Sequence, residues 1–198
     1  MTHVTRISSL TRLFAATALA SAFATSAFAA PENYGVEPNH TYANFSYNHM
    51  GLSTQISKFS KTSGTVVYDK AAKTGSVDVT IDMKSVDTGS NLFNGHIQGA
   101  DFLDTEKFPT ATFKSTKVVF DGDAPASIEG NLTIKGVTKP VVLKVNHFAN
   151  IAHPMMKKDA IGANASTQIK RSDFGAGKYA PLVGDEVTIS ISLEAIQQ

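Results

Sequence analysis

Residues 77–84 read VDVTIDMK, and apolar side chains occupy every second position of this stretch. The apolar set is Val77, Val79, Ile81 and Met83. Successive side chains of a β-strand point to opposite faces, so a period of two places this set on one face and the polar set on the other. The stretch therefore predicts a half-buried strand, and it is the clearest one in the sequence.

The same period of two recurs along most of the chain after Pro38, whereas the 3.6-residue period of an amphipathic helix is hard to find. The strand-like stretches are residues 41–49, 64–68, 77–83, 110–120, 128–134, 141–145, 161–169 and 187–193. Short turn signals separate several of them, such as Asp121-Gly122-Asp123 and Gly136. About eight strands joined in this way predict an all-β fold, an eight-stranded antiparallel lipocalin-like barrel. A flat sandwich is the alternative, because strand count is easier to read from a pattern than closure.

One segment, residues 88–103, breaks the strand pattern. Ser90 is a typical helix N-cap residue. Four apolar or aromatic residues after it fall at helical spacing on one face; they are Leu92, Phe93, His96 and Ile97. We expect a short helical insertion of one or two turns, lying across an end or a flank of the barrel.

The first 29 residues have the order of a secretory signal peptide. Arg6 and Arg12 precede an uncharged apolar run from Leu13 to about Ala24, and small residues at Ala27 and Ala29 fit a cleavage site after Ala29. We therefore expect residues 1–29 to be removed, and residues 30–198 to form one domain in the periplasm.

Charge and composition exclude several classes of protein. Without Arg6 and Arg12 the 18 basic residues become 16, against 17 acidic residues, so the mature chain has no strong positive field for nucleic acid. The chain has no cysteine, which excludes thiolate catalysis and Cys-ligated zinc. No later segment approaches 18 uncharged apolar residues, so we expect no membrane-spanning helix.

An eight-stranded barrel has an interior that side chains just fill, or that holds one small ligand if they do not. Several positions expected to face inward are small, namely Ala43, Ala111, Gly130, Ala163 and Ala165. Twelve phenylalanines and no tryptophan supply apolar rather than hydrogen-bonding walls. This combination suits a long acyl or prenyl chain, whose burial contributes about 0.8 kcal/mol per methylene. The alternative is that the phenylalanines fill an ordinary core.

Histidine and methionine give a second hypothesis from a different class. His49-Met50 and His153-Pro154-Met155-Met156 combine ligands that suit copper(I), although no histidine pair has a tight metal spacing. We therefore keep a periplasmic copper-binding or stress-response module as the alternative function, and we assign no metal ligand.

No motif for catalysis is present. The sequence has no G-x-S-x-G elbow, P-loop or Rossmann glycine pattern after a strand, so we expect a protein that is not an enzyme. An enzyme acting on the lipid that it holds stays a third hypothesis. The densest polar cluster is residues 170–175, where Arg171 either forms a surface ion pair or holds a ligand head group, and Asp173 caps a turn.

The chain resembles the YceI-like family of periplasmic lipid- or polyisoprenoid-binding proteins over essentially its whole mature length. The matching pieces are Tyr34 to Val36 with His40, Phe45-x-x-x-His49-Met50-Gly51, Lys58-Phe59, Gly64, Ser85-Val86-Asp87-Thr88-Gly89, His96-Ile97, Asp101-Phe102-Leu103-Asp104, Phe108-Pro109-x-x-x-Phe113-x-Ser115, Gly130-x-Leu132-Thr133-Ile134-x-Gly136-Val137-Thr138-x-Pro140 and Ile169-x-Arg171-Ser172-Asp173-Phe174-Gly175. Two departures stand out, since Thr62 occupies a position where the family tends to have an aromatic and Gln55-Ile56-Ser57 replaces a segment that commonly ends in Gly.

The resemblance implies a lipocalin-like barrel that binds an isoprenoid quinone, a polyprenyl lipid or a fatty amide, with no catalytic residue and no cofactor other than a bound isoprenoid or acyl lipid. We expect the tail to lie in the barrel and the head near its mouth. The residues predicted to face the tail are Phe45, Tyr47, Ile81, Phe113, Leu132, Ile134, Leu143 and Ile189. Those predicted at the mouth are His49, Met50, Phe93, His96, Phe102 and Arg171. Further expected partners are a second copy in a homodimer and a transient contact with an inner-membrane redox protein.

Overall fold

The computed structural model describes Met1 and residues 30–198, so residues 2–29 of the expected signal peptide lie outside the described residues. The described elements are β1 (Glu32–Val36), β2 (Tyr42–His49), β3 (Ser53–Phe59), β4 (Thr62–Asp69), β5 (Thr74–Asp82), a 3₁₀ turn (Met83–Ser85), β6 (Val86–Asp87), α1 (Asn91–Gln98), β7 (Thr110–Asp121), β8 (Ala124–Ile134), β9 (Val137–Ala152), β10 (Asp159–Lys170), a second 3₁₀ turn (Arg171–Phe174) and β11 (Val183–Gln197).

The strands form one antiparallel barrel that closes on itself. Its ring runs β1-β4-β5-β7-β8-β9-β10-β11, and β11 returns to pair with β1. The predicted eight-stranded barrel is thereby confirmed, and the flat sandwich is excluded.

The ring has eight positions, here called staves, and two of them are each formed by two consecutive strands that lie end to end. Along one edge of β11, β2 pairs with residues 183–192 and β1 pairs with residues 195–197, so β1 and β2 follow each other as one stave. β3 and β4 do the same beside them, since β3 pairs with β2 and β4 pairs with β1. Every stave therefore lies next to its neighbours in sequence, which is an up-and-down meander.

The meander places alternate connections at opposite ends of the barrel. One end, the mouth, carries the β2–β3 turn, α1 and the connection from β10 to β11. The other end, the closed end, carries residues 153–158 and the start of β1. Among the described residues, no helix has the length and apolar character needed to cross a bilayer.

β1, β3 and the two-residue β6 were absent from the strands predicted by the sequence pattern. In β3 the polar and apolar positions are the reverse of those expected for a strand that covers a core, because Ser57 is buried while Ile56 is 71% exposed. β1 has five residues, too few for a period of two to stand out.

The helical insertion was predicted correctly in place and length. α1 begins after Ser90, whose Oγ accepts a hydrogen bond from the Phe93 amide, and Ile97 is buried beneath it. Leu92 was wrongly placed on the packed face, since its side chain is 88% exposed. At 100° per residue Leu92 lies at the edge of the predicted apolar stripe, where the helix faces solvent.

Packed aromatic side chains fill the barrel at the closed end. Tyr34 is fully buried beside Val66, Tyr68, Ile161 and Ala195. The Tyr68 ring meets Phe148 edge-on, with centroids 5.4 Å apart. This cluster packs as an ordinary hydrophobic core. The barrel interior between the cluster and the mouth is not filled by side chains.

Candidate functional site

The barrel encloses a long cavity of about 550 Å³ that runs from the closed-end core to the mouth. On β11 alone the lining side chains run from Val183 to Leu193. Ten residue steps of a strand correspond to roughly 33 Å, so the cavity is long and narrow. Its volume lies in the ordinary range of small-molecule sites.

The structure places all fourteen residues predicted for ligand binding on the wall of this cavity. The inward set is Phe45, Tyr47, Ile81, Phe113, Leu132, Ile134, Leu143 and Ile189, and the mouth set is His49, Met50, Phe93, His96, Phe102 and Arg171. Strict alternation along the strands explains the inward set. A contact of any of the fourteen with a ligand stays a prediction.

Many inward side chains are only half-buried, although they point away from bulk solvent. Ala43, Phe45, Tyr47 and Ile189 are examples. Side chains in a close-packed interior touch neighbours on all sides. The remaining accessible surface of these residues faces the cavity, so the phenylalanines line a space instead of filling an ordinary core.

The small inward residues divide into two groups. Ala43, Ala111, Ala163 and Ala165 line the cavity as expected. Gly130 does not, because the Phe113 ring covers it: a Cβ on Gly130 would lie 2.5 Å from Phe113 Cζ and 2.6 Å from the Lys114 carbonyl oxygen. Gly130 therefore makes room for an aromatic wall residue.

Aromatic rings line the path from the mouth inward. The Phe93 and His96 rings stack with centroids 5.8 Å apart, His96 lies 5.0 Å from Phe102, and Phe102 lies 6.1 Å from Tyr179. Planar groups pack well against such a series. A flat head group is therefore suited to the mouth, and an aliphatic chain to the interior.

Arg171 is the one arginine or lysine side chain in the cavity wall among the described residues. Its guanidinium donates hydrogen bonds to four backbone carbonyls, those of Ala176, Lys178 at 2.8 Å, Val183 at 2.7 Å and Gly184 at 2.9 Å. The surface ion pair weighed from the sequence is not formed, because among the described residues no carboxylate pairs with Arg171 within 4 Å. Nearly all of its donors are used in fixing the connection between β10 and β11, and its contact with a ligand head group stays a prediction.

The capping role expected of Asp173 belongs to Asp185 instead. The Asp185 carboxylate accepts hydrogen bonds from the Ser172 hydroxyl at 2.6 Å and from the Ser172 amide at 2.9 Å. The Ser172 hydroxyl bond holds the pKa of Asp185 below its usual value, and the nearby Arg171 adds to this effect. Burial lowers the pKa of Arg171 and raises the pKa of Tyr47, which lies beside it. These groups stiffen the mouth, and they present no acid–base pair to the cavity.

Thr62 is the polar side chain that the fold leaves without a partner. It lines the cavity, is 8% exposed, and its Oγ1 has no hydrogen-bond partner among the described residues. An unsatisfied buried hydroxyl costs about 1–3 kcal/mol.

The histidine and methionine pairs do not form one metal site. His49 and Met50 lie at the mouth, whereas His153, Met155 and Met156 lie in the connection at the closed end. The ends of β11, which run past both places, are on the order of 40 Å apart for a strand of this length. The copper hypothesis loses the combined ligand set on which it was based.

A separate group of possible metal ligands lies between β1 and β2. His40 Nδ1 is 2.7 Å from a Glu37 carboxylate oxygen and 3.8 Å from a Glu194 carboxylate oxygen. Glu37 also accepts hydrogen bonds from the amides of Asn39 and His40. Capping of this turn accounts for the group, and we assign it no metal.

Several lining residues were missed by the sequence pattern. Tyr179, Leu182 and Val183 all contact the cavity. They lie in a turn or at a strand end, where a period of two carries no information about direction. Their apolar character within loop segments was the one available signal.

Comparison with known proteins agrees with this geometry. A sequence model of the YceI-like domain matches residues 34–195. Protein YceI of Escherichia coli (strain CFT073) is 39% identical over 174 residues, which are 87% of this chain and 90% of that protein.

Two solved structures have the same fold. The crystal structure of Burkholderia cenocepacia BcnA matches with a TM-score of 0.67 and 30% identity, over 80% of this chain and 98% of that chain. A polyisoprenoid binding domain from Saccharophagus degradans, implicated in plant cell wall breakdown, matches with a TM-score of 0.64 and 17% identity, over 83% of this chain and 98% of that chain. At that identity the second match shows the fold alone.

Proposed function

The chain belongs to the YceI-like domain family, and from this premise we propose that it is a periplasmic carrier or store for one long-chain apolar lipid. The single observation that carries the proposal is the long apolar cavity, whose inward side chains remain accessible inside a closed barrel. The ligand is an isoprenoid quinone, a polyprenyl lipid or a fatty amide. The family and the polyisoprenoid-binding neighbour support apolar binding of this kind.

The tail occupies the space between the closed-end core and the mouth. Each buried methylene contributes about 0.8 kcal/mol before ordering costs, so a tail that fills the cavity binds tightly with few polar contacts. The head lies among Phe93, His96, Phe102 and Tyr179, where a quinone ring or an amide plane can stack. The described residues of the cavity wall include no Asp or Glu, so a bound tail meets no carboxylate there.

A series of prenyl alcohols of increasing length tests this function. Affinity for the purified protein should rise with each isoprene unit until the chain reaches the closed-end core, and then level off. Affinity that is weak at every length and independent of length would contradict the proposal.

A substitution inside the cavity sharpens the test. Ala43 faces the cavity from β2, so Ala43→Phe should shorten the prenyl chain at which affinity levels off, with little loss of stability because the new ring enters empty space. In a filled core the same change would cost about 1–3 kcal/mol. Ala152→Phe, at an exposed position of β9 outside the cavity, is the matched control and should leave the length dependence unchanged.

A further inference from the structure

The mouth carries a group of exposed apolar side chains, here called the rim: Met50, Leu52, Leu92, Phe93, Tyr179 and Leu182. The most exposed are Leu92 at 88% and Leu52 at 81%. Three segments far apart in sequence supply the rim, namely the β2–β3 turn, α1 and the connection before β11. Soluble monomers rarely gather exposed apolar side chains at one end of the molecule without an interaction to cover them.

The rim surrounds the entrance of the cavity. Four of its six side chains also line the cavity, and these are Met50, Phe93, Tyr179 and Leu182. Leu52 and Leu92 stand further out, beside Met50 and Phe93 in sequence. Whatever covers the rim therefore also covers the entrance that these residues line.

The charge pattern indicates what covers it. Residues 47–57, 88–100 and 179–184 contain no Asp, Glu, Lys or Arg. The exposed Met155 and Met156 at the closed end, by contrast, are followed directly by Lys157, Lys158 and Asp159. Protein interfaces have a polar rim with many hydrogen bonds. At Tyr179 an aromatic ring lies beside a lysine, with Lys178 Nζ 5.5 Å from the ring centroid. Uncharged apolar tips flanked by such pairs are typical of the membrane–water interface.

We propose that the rim docks on the surface of a lipid bilayer, with the mouth facing the membrane. The docking proposal is argued from the rim residues alone. A docked mouth would let a long-chain lipid pass between bilayer and cavity without crossing water, and this consequence rests on the proposed carrier function. A chain crossing water would expose every methylene that the cavity buries, and a seated mouth removes that barrier.

The absence of tryptophan from the sequence allows a test without background tryptophan fluorescence. The protein is used without residues 1–29, because every strand of the barrel lies after them. Leu52→Trp and Leu92→Trp place the probe on the rim, and Met155→Trp places it at an equally exposed position of the closed end. The membrane is a vesicle of zwitterionic phosphatidylcholine with brominated acyl chains.

With these vesicles, the two rim tryptophans should shift to shorter wavelength and be quenched, while the closed-end tryptophan should not change. Equal responses of all three probes, or none, would overturn the proposal. If the parent protein did not bind the vesicles at all, membrane docking would be wrong and the occupant of the rim would be another protein.

A charge substitution gives a second readout. Leu52→Asp with Leu92→Asp should weaken vesicle binding about tenfold or more, since both carboxylates would have to enter the interface. Val142→Asp with Ile151→Asp adds the same charge at exposed apolar positions away from the mouth and should have little effect. Equal vesicle affinity of the two double variants would contradict membrane docking.

Prenyl alcohol binding separates this proposal from the carrier function. Neither Leu52 nor Leu92 lines the cavity, so the rim double variant should keep the affinity of the parent for the alcohol. Prenyl binding without vesicle docking would refute the rim proposal alone. Vesicle docking without prenyl binding would refute the carrier function alone.

Discussion

Gly130 shows how one absent side chain shapes the cavity wall. Its Cα lies against the Phe113 ring and the Lys114 carbonyl, which leaves no space for a Cβ. We expect Gly130→Ala to lower the free energy of unfolding by about 1–3 kcal/mol, because the ring or the strand has to shift. Urea denaturation measures this change.

Gly162→Ala is the matched control, since nothing lies within 4 Å of the added carbon on that strand residue. It should be neutral or slightly stabilising, by less than about 1 kcal/mol, because the unfolded chain loses freedom. If both variants lost the same stability, the loss would come from strand glycines in general and not from the contact with Phe113.

Thr62 gives a prediction of the opposite sign. Thr62→Val keeps the shape of the side chain and removes a buried hydroxyl that has no partner, so it should raise the free energy of unfolding by about 1 kcal/mol. Thr65→Val, on the exposed face of the same strand, should change it by less than about 0.5 kcal/mol. A marked destabilisation by Thr62→Val in ligand-free protein would show that the hydroxyl has a partner after all.

At the scale of single residues, the sequence was most informative on the strands. Alternation alone separates inward from outward positions, so Phe45, Ile81 and Ile189 could be placed on the cavity wall in advance. Arg171 could not be interpreted in the same way. Its partners are backbone carbonyls of a connection whose path depends on the finished fold, and no local pattern encodes them.

Among the elements, the connection between β10 and β11 depends on Arg171. A lysine keeps the positive charge but cannot reproduce the planar fork that reaches four carbonyls. We expect Arg171→Lys to cost about 2 kcal/mol of stability and to speed amide hydrogen exchange in residues 172–184.

This prediction separates the two roles that Arg171 could have at the mouth. A residue that only contacts a ligand head group would leave the stability of ligand-free protein and its hydrogen exchange unchanged. Lys178→Ala is the control, because it removes an exposed ion pair with Asp101 at 3.4 Å and should cost less than about 1 kcal/mol.

The elements that the sequence missed share a physical cause. β1 and β2 make one stave broken at residues 37–41, and β3 and β4 make another, so the pattern is interrupted where the barrel wall bends. On β3 the face over the cavity is polar at Ser57 and the outer face is apolar at Ile56. Binary patterning assumes that apolar side chains are buried and polar ones exposed, and β3 reverses this at Ser57 and Ile56.

For the whole molecule, closure follows from the meander. Eight staves and one closing pair leave no free sheet edge around the ring of described strands. The number of staves was predictable from the spacing of the alternating stretches, because one predicted stretch falls in each stave. The presence of a cavity was a hypothesis, because whether the nine phenylalanines after residue 29 fill an interior or line it depends on how the staves curve and tilt.

The central claim is that this barrel holds one long-chain apolar molecule. Native mass spectrometry of protein isolated from the host that produces it, before and after extraction with organic solvent, tests the claim most directly. We predict one bound molecule per chain in the untreated protein, its loss on extraction, and its identification as a single prenyl or acyl species. Protein that reproducibly carries no such molecule, or that carries a metal ion in its place, would contradict the account.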